Sequence, residues 1–84
     1  MESEILKLVM AVITSHVDKN IIVTKKSLLK EDLALPSIKI VLCLTQIIDQ
    51  LGMNITVFSD YELLLIKTVG DLTDLLILKN GVHE

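Results

Sequence analysis

The side chains in this sequence that could do chemistry are few and far apart. They are one cysteine, Cys43, two histidines, His16 and His83, an adjacent acid pair, Glu31-Asp32, and Ser37, which follows the only proline. A protein metal site needs about four converging ligands, and one cysteine with two distant histidines gives no such set. No histidine stands near Cys43 in sequence, so Cys43 reads as a buried helix residue rather than a nucleophile. Side chains of adjacent residues rarely converge on one substrate, so Glu31-Asp32 reads as loop packing and solvation. With no nucleophile–base pair and no metal constellation, the chain is not expected to be an enzyme. Ser37 is what remains. Taken by themselves, Pro36 and Ser37 open a helix, since proline suits a helix start and serine is a preferred N-cap.

The elements that must position Ser37 are helical. Ile5, Leu8, Val9, Val12, Ile13 and His16 recur at three- and four-residue steps, one face of a first helix that should stop near Asp18-Lys19-Asn20. A connection follows over about 21–35, mixing lysines with the apolar anchors Ile22, Val23, Leu28, Leu29 and Leu33. So long a connection is more often functional than idle. A second helix begins at Pro36 or Ser37 and runs to Leu51, with Gly52 as its stop. Val41, Leu44, Ile48 and Leu51 make its main stripe, and Ile38, Ile40, Leu42, Cys43 and Ile47 widen that stripe to nearly the whole circumference. A helix apolar all round must be covered on most sides, in so small a domain partly by another chain.

Two capping boxes mark the remaining helices. Ser59-Asp60-Tyr61-Glu62 opens a short third helix through Ile66, and Thr68-Val69-Gly70-Asp71 opens a fourth that ends at Asn80-Gly81. Val69, Leu72, Leu75 and Leu76 form the buried side of the last one. Met10 and Met53 read as core filler. No segment alternates cleanly enough for a strand, and 54–58 is the least helical-looking stretch. The expected fold is all-α, one domain over 1–84.

Composition narrows the function further. The chain is 51% apolar with almost no aromatic residues, and its net charge is −3 with every basic residue a lysine. Nucleic-acid binders gather Lys and Arg on one face and stack bases on aromatics, so nucleic acid is not an expected partner. A mean hydropathy of +0.63 leaves apolar surface over for a protein partner. The longest uncharged runs, Leu8 to Val17 and Ile40 to Ile48, fall short of the roughly 18–20 residues a membrane span needs. The acidic start, Met1-Glu2-Ser3-Glu4, is unlike a secretory signal, and a lone cysteine suits a reducing compartment. A cytoplasmic location is expected.

Four motifs then carry a resemblance. Ser27-Leu28-Leu29-Lys30-Glu31-Asp32-Leu33 has an apolar residue shortly before Glu-Asp-Leu. Leu35-Pro36-Ser37-Ile38 stands where an Asp-Ser-Leu attachment motif would stand. Ile47-Ile48-Asp49-Gln50-Leu51-Gly52-Met53-Asn54-Ile55 has an acid, an apolar residue, Gly and Ile at a helix end. Ile66-Lys67-Thr68-Val69-Gly70-Asp71-Leu72 matches Ile-x-Thr-Val-x-x-Leu. In this order and spacing the chain resembles the acyl carrier protein family, which includes peptidyl and D-alanyl carriers. The resemblance implies a four-helix bundle with a long loop between helices 1 and 2 and a short third helix.

By the same resemblance, Ser37 would bear a covalent 4′-phosphopantetheine arm, attached from coenzyme A by a phosphopantetheinyl transferase with Mg²⁺. The arm's thiol would hold acyl or aminoacyl groups as thioesters for activating and condensing enzymes of fatty acid, polyketide or aminoacyl biosynthesis. An attached phosphate at a helix start is favoured by the dipole and by free N–H groups. The chain departs from the family in three places. Pro36 replaces the acid before the serine. Lys39, Leu42 and Ile48 stand where the second helix usually shows acids, and only Asp49 keeps the charge. A few extra residues between Ile55 and Thr68 would enlarge or shift the third helix. The expected recognition face is therefore Pro36, Ile38, Lys39, Leu42, Ile48 and Asp49. An alternative expectation is an unmodified carrier-like module that binds a partner, or itself as a homodimer, through the apolar second helix.

Overall fold

The periodic segments form helices in the order expected. The structure is a computed structural model describing residues 2–54, 56 and 58–80, with residues 2, 3 and 80 as backbone only. Ile55, Gly81 and His83, used above, lie outside the described residues. Helix α1 spans Glu2–Thr14, α2 Ser37–Leu51, α3 Asp60–Leu64 and α4 Val69–Asn80. Among the described residues there is no strand, only an isolated antiparallel bridge between Leu28 and Thr68. The chain is a small bundle of four helices, in which α1 packs against both α2 and α4.

The core is aliphatic. Ile5, Val9, Val12 and Ile13 of α1 meet Cys43, Leu44, Ile47 and Ile48 of α2 and Val69, Leu72 and Leu76 of α4. Leu75 is only half-buried, while Thr73 is buried and donates its hydroxyl to the Val69 carbonyl at 3.0 Å. Met10 and Met53 pack partly buried against this core, in the gap-filling role expected of them.

Helix α1 ends earlier than its periodicity predicts. The Ser15 hydroxyl donates to the Val12 carbonyl at 2.6 Å, and the His16 amide bonds Ile13 at 2.9 Å. Such local bonds compete with the helical ladder and tighten the last turn. His16 therefore leaves the helix and lies 3.0 Å from the Gln46 amide oxygen on α2. The stop of α2 follows expectation. Gly52 adopts φ 72°, its amide bonds the Asp49 carbonyl at 3.2 Å, and Met53 bonds Ile48 at 2.9 Å. That is a Schellman cap, and its left-handed position suits glycine. Helix α3 ends at Leu64 rather than Ile66, because Leu65 and Ile66 bond residues three back, Glu62 and Leu63. It has five residues.

The connection between α1 and α2 is strapped down rather than loose. Leu29 donates to the Lys67 carbonyl at 2.9 Å, Val69 to Ser27 at 3.1 Å and Gly70 to Lys25 at 2.8 Å. A Cβ at Gly70 would sit 3.1 Å from the Lys25 oxygen, so glycine lets the loop lie close on the start of α4. Leu29, Leu33 and Leu35 are buried, each such burial being worth about 1.5–3 kcal/mol. Ile22, expected as an anchor, is instead 83% exposed, and Ile21 and Val23 on either side pack partly against the core. Asp32 accepts the Leu28 amide at 2.9 Å, so one member of the acid pair holds the loop's fold, while Glu31 is exposed.

Candidate functional site: the open start of helix 2

The strapped loop delivers the chain to α2 through Leu35 and Pro36. The Leu35 amide bonds the Leu29 carbonyl at 3.0 Å. Before it, Ala34 takes φ 55°, a left-handed conformation that disfavours side chains other than glycine's. This backbone turn reverses the chain into the helix. Pro36 then occupies the N-cap with φ −69° and ψ 162°, a φ its ring already fixes. Its carbonyl accepts the amides of Lys39 at 2.9 Å and Ile40 at 3.1 Å.

Ser37 is thus the first residue of α2 and not its cap. Proline has no side-chain acceptor, and no side-chain cap bond is made at this terminus. The Ser37 hydroxyl is exposed and forms no hydrogen bond among the described residues. No acid sits in the first turn, so the positive end of the helix dipole is uncompensated there. Lys30, Ala34, Leu35, Pro36 and Ser37 line an open depression of about 550 Å³. Lys30 therefore joins the serine from the loop, with Lys39 two residues into the helix. A free hydroxyl, an uncapped helix start and a nearby cation suit a phosphodiester on Ser37. The residues present fit the arm that the sequence resemblance implies.

Beyond Ser37, α2 presents an apolar outer ridge. Ile38 is 67% exposed, Val41 50% and Leu42 45%, and Pro36, Lys39 and Asp49 are also at the surface. Ile48 departs from the expected recognition face. It is 4% exposed because it lies one turn beyond Leu44 on the side facing the core. Val41 takes its place on the surface. Sequence reasoning put Val41 on the buried stripe, and it missed Lys30, whose only signal was its place in the loop seven positions before the serine.

The other chemistry-bearing residues do not join this site. Cys43 is buried, and burial pushes its thiol up from the usual range, against a smaller opposing pull from the Lys39 charge. A thiol that resists ionisation is a poor nucleophile. His16 is on the α1 side against Gln46. No group of three or more His, Cys, Asp or Glu that could hold a metal occurs among the described residues. No helix there is long and apolar enough to cross a membrane.

The starts of α3 and α4 contrast with that of α2. At α3 the Ser59 hydroxyl accepts the Glu62 amide at 3.1 Å and the Glu62 carboxylate accepts the Ser59 amide at 3.0 Å. Glu62 also meets the Lys79 ammonium at 2.8 Å. Lys79 first, and then the Ser59 amide, hold its carboxyl below the usual carboxylate range. At α4 the Thr68 hydroxyl accepts the Asp71 amide at 3.0 Å, while Asp71 accepts the amides of Lys67 and Thr68, each at 3.2 Å. No protein-family model matches the chain, and no curated protein matches it.

Proposed function

We propose that the chain is a carrier of the acyl carrier type, with Ser37 as the attachment point for a phosphopantetheine arm. One observation carries the reading: the serine that opens α2 is exposed, with no hydrogen-bond partner for its hydroxyl among the described residues, at a helix start that has no side-chain cap. In the attachment step, the Ser37 oxygen forms a bond to the β-phosphorus of coenzyme A. The pyrophosphate bond breaks, adenosine 3′,5′-bisphosphate departs, and the hydroxyl proton passes to the transferase. When bound, the arm supplies a terminal thiol that holds an acyl or aminoacyl group as a thioester.

The chain's own residues orient and recognise; the chain performs no catalysis. Lys30 and the first amides of α2 stabilise the diester charge. Ile38, Val41 and Leu42 give partner enzymes an apolar surface, and Lys39 gives them a positive charge where carriers of this type usually show a negative one. Partners of this carrier should therefore offer an apolar contact with an acid near Lys39. A second reading, an unmodified interaction module, draws its support from the same exposed ridge of Ile38, Val41 and Leu42.

Intact mass after incubation with coenzyme A, Mg²⁺ and a broad-specificity phosphopantetheinyl transferase separates the two. A gain of one phosphopantetheine, lost in Ser37→Ala, is expected. Absence of the gain with every transferase tried, including that of the source organism, favours the unmodified module.

A further inference from the structure

A second apolar surface lies on the α3–α4 side, and nothing in the carrier reading uses it. Leu64 and Leu65 at the end of α3 are 77% and 54% exposed, and Leu78 of α4 is 71% exposed. Between the two helices runs a groove of about 360 Å³ whose apolar wall is Leu65, Ile66, Leu75 and Leu78 and whose rim carries Asp71 and Asp74. Glu62 also borders it, but its charge is already met by Lys79 at 2.8 Å. Asp71 accepts two backbone amides through one carboxylate oxygen, and both Asp71 and Asp74 are exposed. Lys67, the other lysine of this region, is not among the groove's lining residues.

We infer that this groove docks the apolar face of a basic amphipathic helix from a partner protein. Asp71 to Leu78 span two turns of α4, about 10 Å, which matches apolar anchors at i, i+3 or i+4, and i+7 of a docked helix. Strand addition has no purchase, because the described residues contain no strand and hence no sheet edge. Two rim acids, with no lysine among the described residues that line the groove, ask for two cations flanking the incoming apolar stripe. A second copy of the chain meets this poorly. Its α2 face offers Lys39 but also Asp49, its α3–α4 face would set the same acids against each other, and two copies each of net charge −3 repel. The inference does not rest on the Ser37 reading.

The test is fluorescence anisotropy with a labelled helical peptide of about four turns, leucines along one face and lysines flanking them. Its control carries glutamates in place of the lysines. The lysine peptide should bind, and the glutamate peptide should not. Leu78→Ser should weaken binding about tenfold, the loss of most of one buried leucine. Asp74→Lys should weaken it roughly threefold to fivefold at low salt and much less at about half-molar salt. Leu78 and Asp74 are exposed, so both variants should keep the parent melting temperature, which is measured alongside. Equal binding of the two peptides, or affinity unchanged by both substitutions, would overturn the inference. So would self-association on sedimentation that Leu78→Ser abolishes, since the occupant would then be a second copy. Repeating the titration with Ser37→Ala separates this surface from the arm site, because binding there should match the parent chain.

Discussion

The starts of α2 and α4 receive the same loop and are finished in opposite ways. At α4, Thr68 and Asp71 exchange hydrogen bonds with the backbone, and residues 25–29 are bonded across the same turn. At α2, a proline stands at the cap, no acid is present in the first turn, and the serine's hydroxyl is left alone. Full capping is worth roughly 1 kcal/mol or more per terminus. The α4 start thus serves to anchor the loop, and the anchored loop presents the α2 start open to solvent. What is missing at α2 is informative only because the sequence shows twice elsewhere, at Ser59 and Thr68, that it can build a complete cap.

The largest expected effect comes from breaking the closed terminus. Asp71→Ala removes the acceptor for the Lys67 and Thr68 amides, where the loop is also bonded through Leu29 to Lys67 and through the Leu28–Thr68 bridge. A loss of about 1–2 kcal/mol is expected, read as a lower denaturant midpoint. Faster amide exchange at Leu29 and Val69 should accompany it. If exchange rises at α4 alone, the strap is independent of the cap.

Closing the open terminus is the converse experiment. Pro36→Asp supplies an acceptor and a negative charge, but it also frees the unfolded chain from proline's restriction. Pro36→Ala shares the second effect and lacks the first, so the difference between these variants isolates the cap. Asp should exceed Ala by about 1 kcal/mol in urea unfolding. In the transferase assay Pro36→Asp also restores the acid that carriers of this type place before their serine. On the carrier reading, faster loading than the parent is expected, and slower loading would argue that the proline, not an acid, is what the transferase used in the assay reads.

A smaller, local effect is expected at α3 on acidification. Glu62 is held below the usual carboxylate range by Lys79 and by the Ser59 amide. A depressed folded value means the contribution is complete above the unfolded value, ordinarily about 4.3, and is lost as pH falls through the folded one. Protection of the Leu63 and Leu65 amides, measured relative to their intrinsic exchange rates, should therefore fall in acid while that of α2 is kept. Glu62→Gln should remove the pH dependence.

Much of this arrangement was legible in the sequence, and the failures share a cause. Period and capping residues located all four helices, because the stripes of α1 and α2, the two boxes and Gly52 are local signals. What escaped depends on neighbours distant in the chain. Ile48 and Val41 differ by less than a full face on α2, and only the packing of α1 decides that Ile48 is buried and Val41 exposed. Ile22 looked like an anchor equal to Leu29 and Leu33, but the straps to Lys67 and Ser27 turn Leu29 inward and leave Ile22 outside. Lys30 comes to line the same depression as Ser37 by the same strapping. The sequence placed Ser37 at the start of the second helix, where the structure has it, but not the loop residues that line the same depression, since those are brought there by the loop's tertiary bonds.

The smallest expected effect is the one that bears most on Ser37. If the serine served the helix, replacing it would resemble losing Ser59, whose hydroxyl accepts the Glu62 amide. Ser59→Ala should weaken α3 by about 0.5–1 kcal/mol, read as faster exchange at Leu63. Ser37→Ala removes a hydroxyl with no partner from an exposed first-turn position, where alanine is at least as good a helix former. Its unfolding midpoint should lie within about 0.5 kcal/mol of the parent. A loss as large as that at Ser59 would mean the hydroxyl is engaged in the fold, and the free serine on which the carrier reading stands would be gone. Equality with the parent leaves an exposed hydroxyl at an open helix start that the fold does not need.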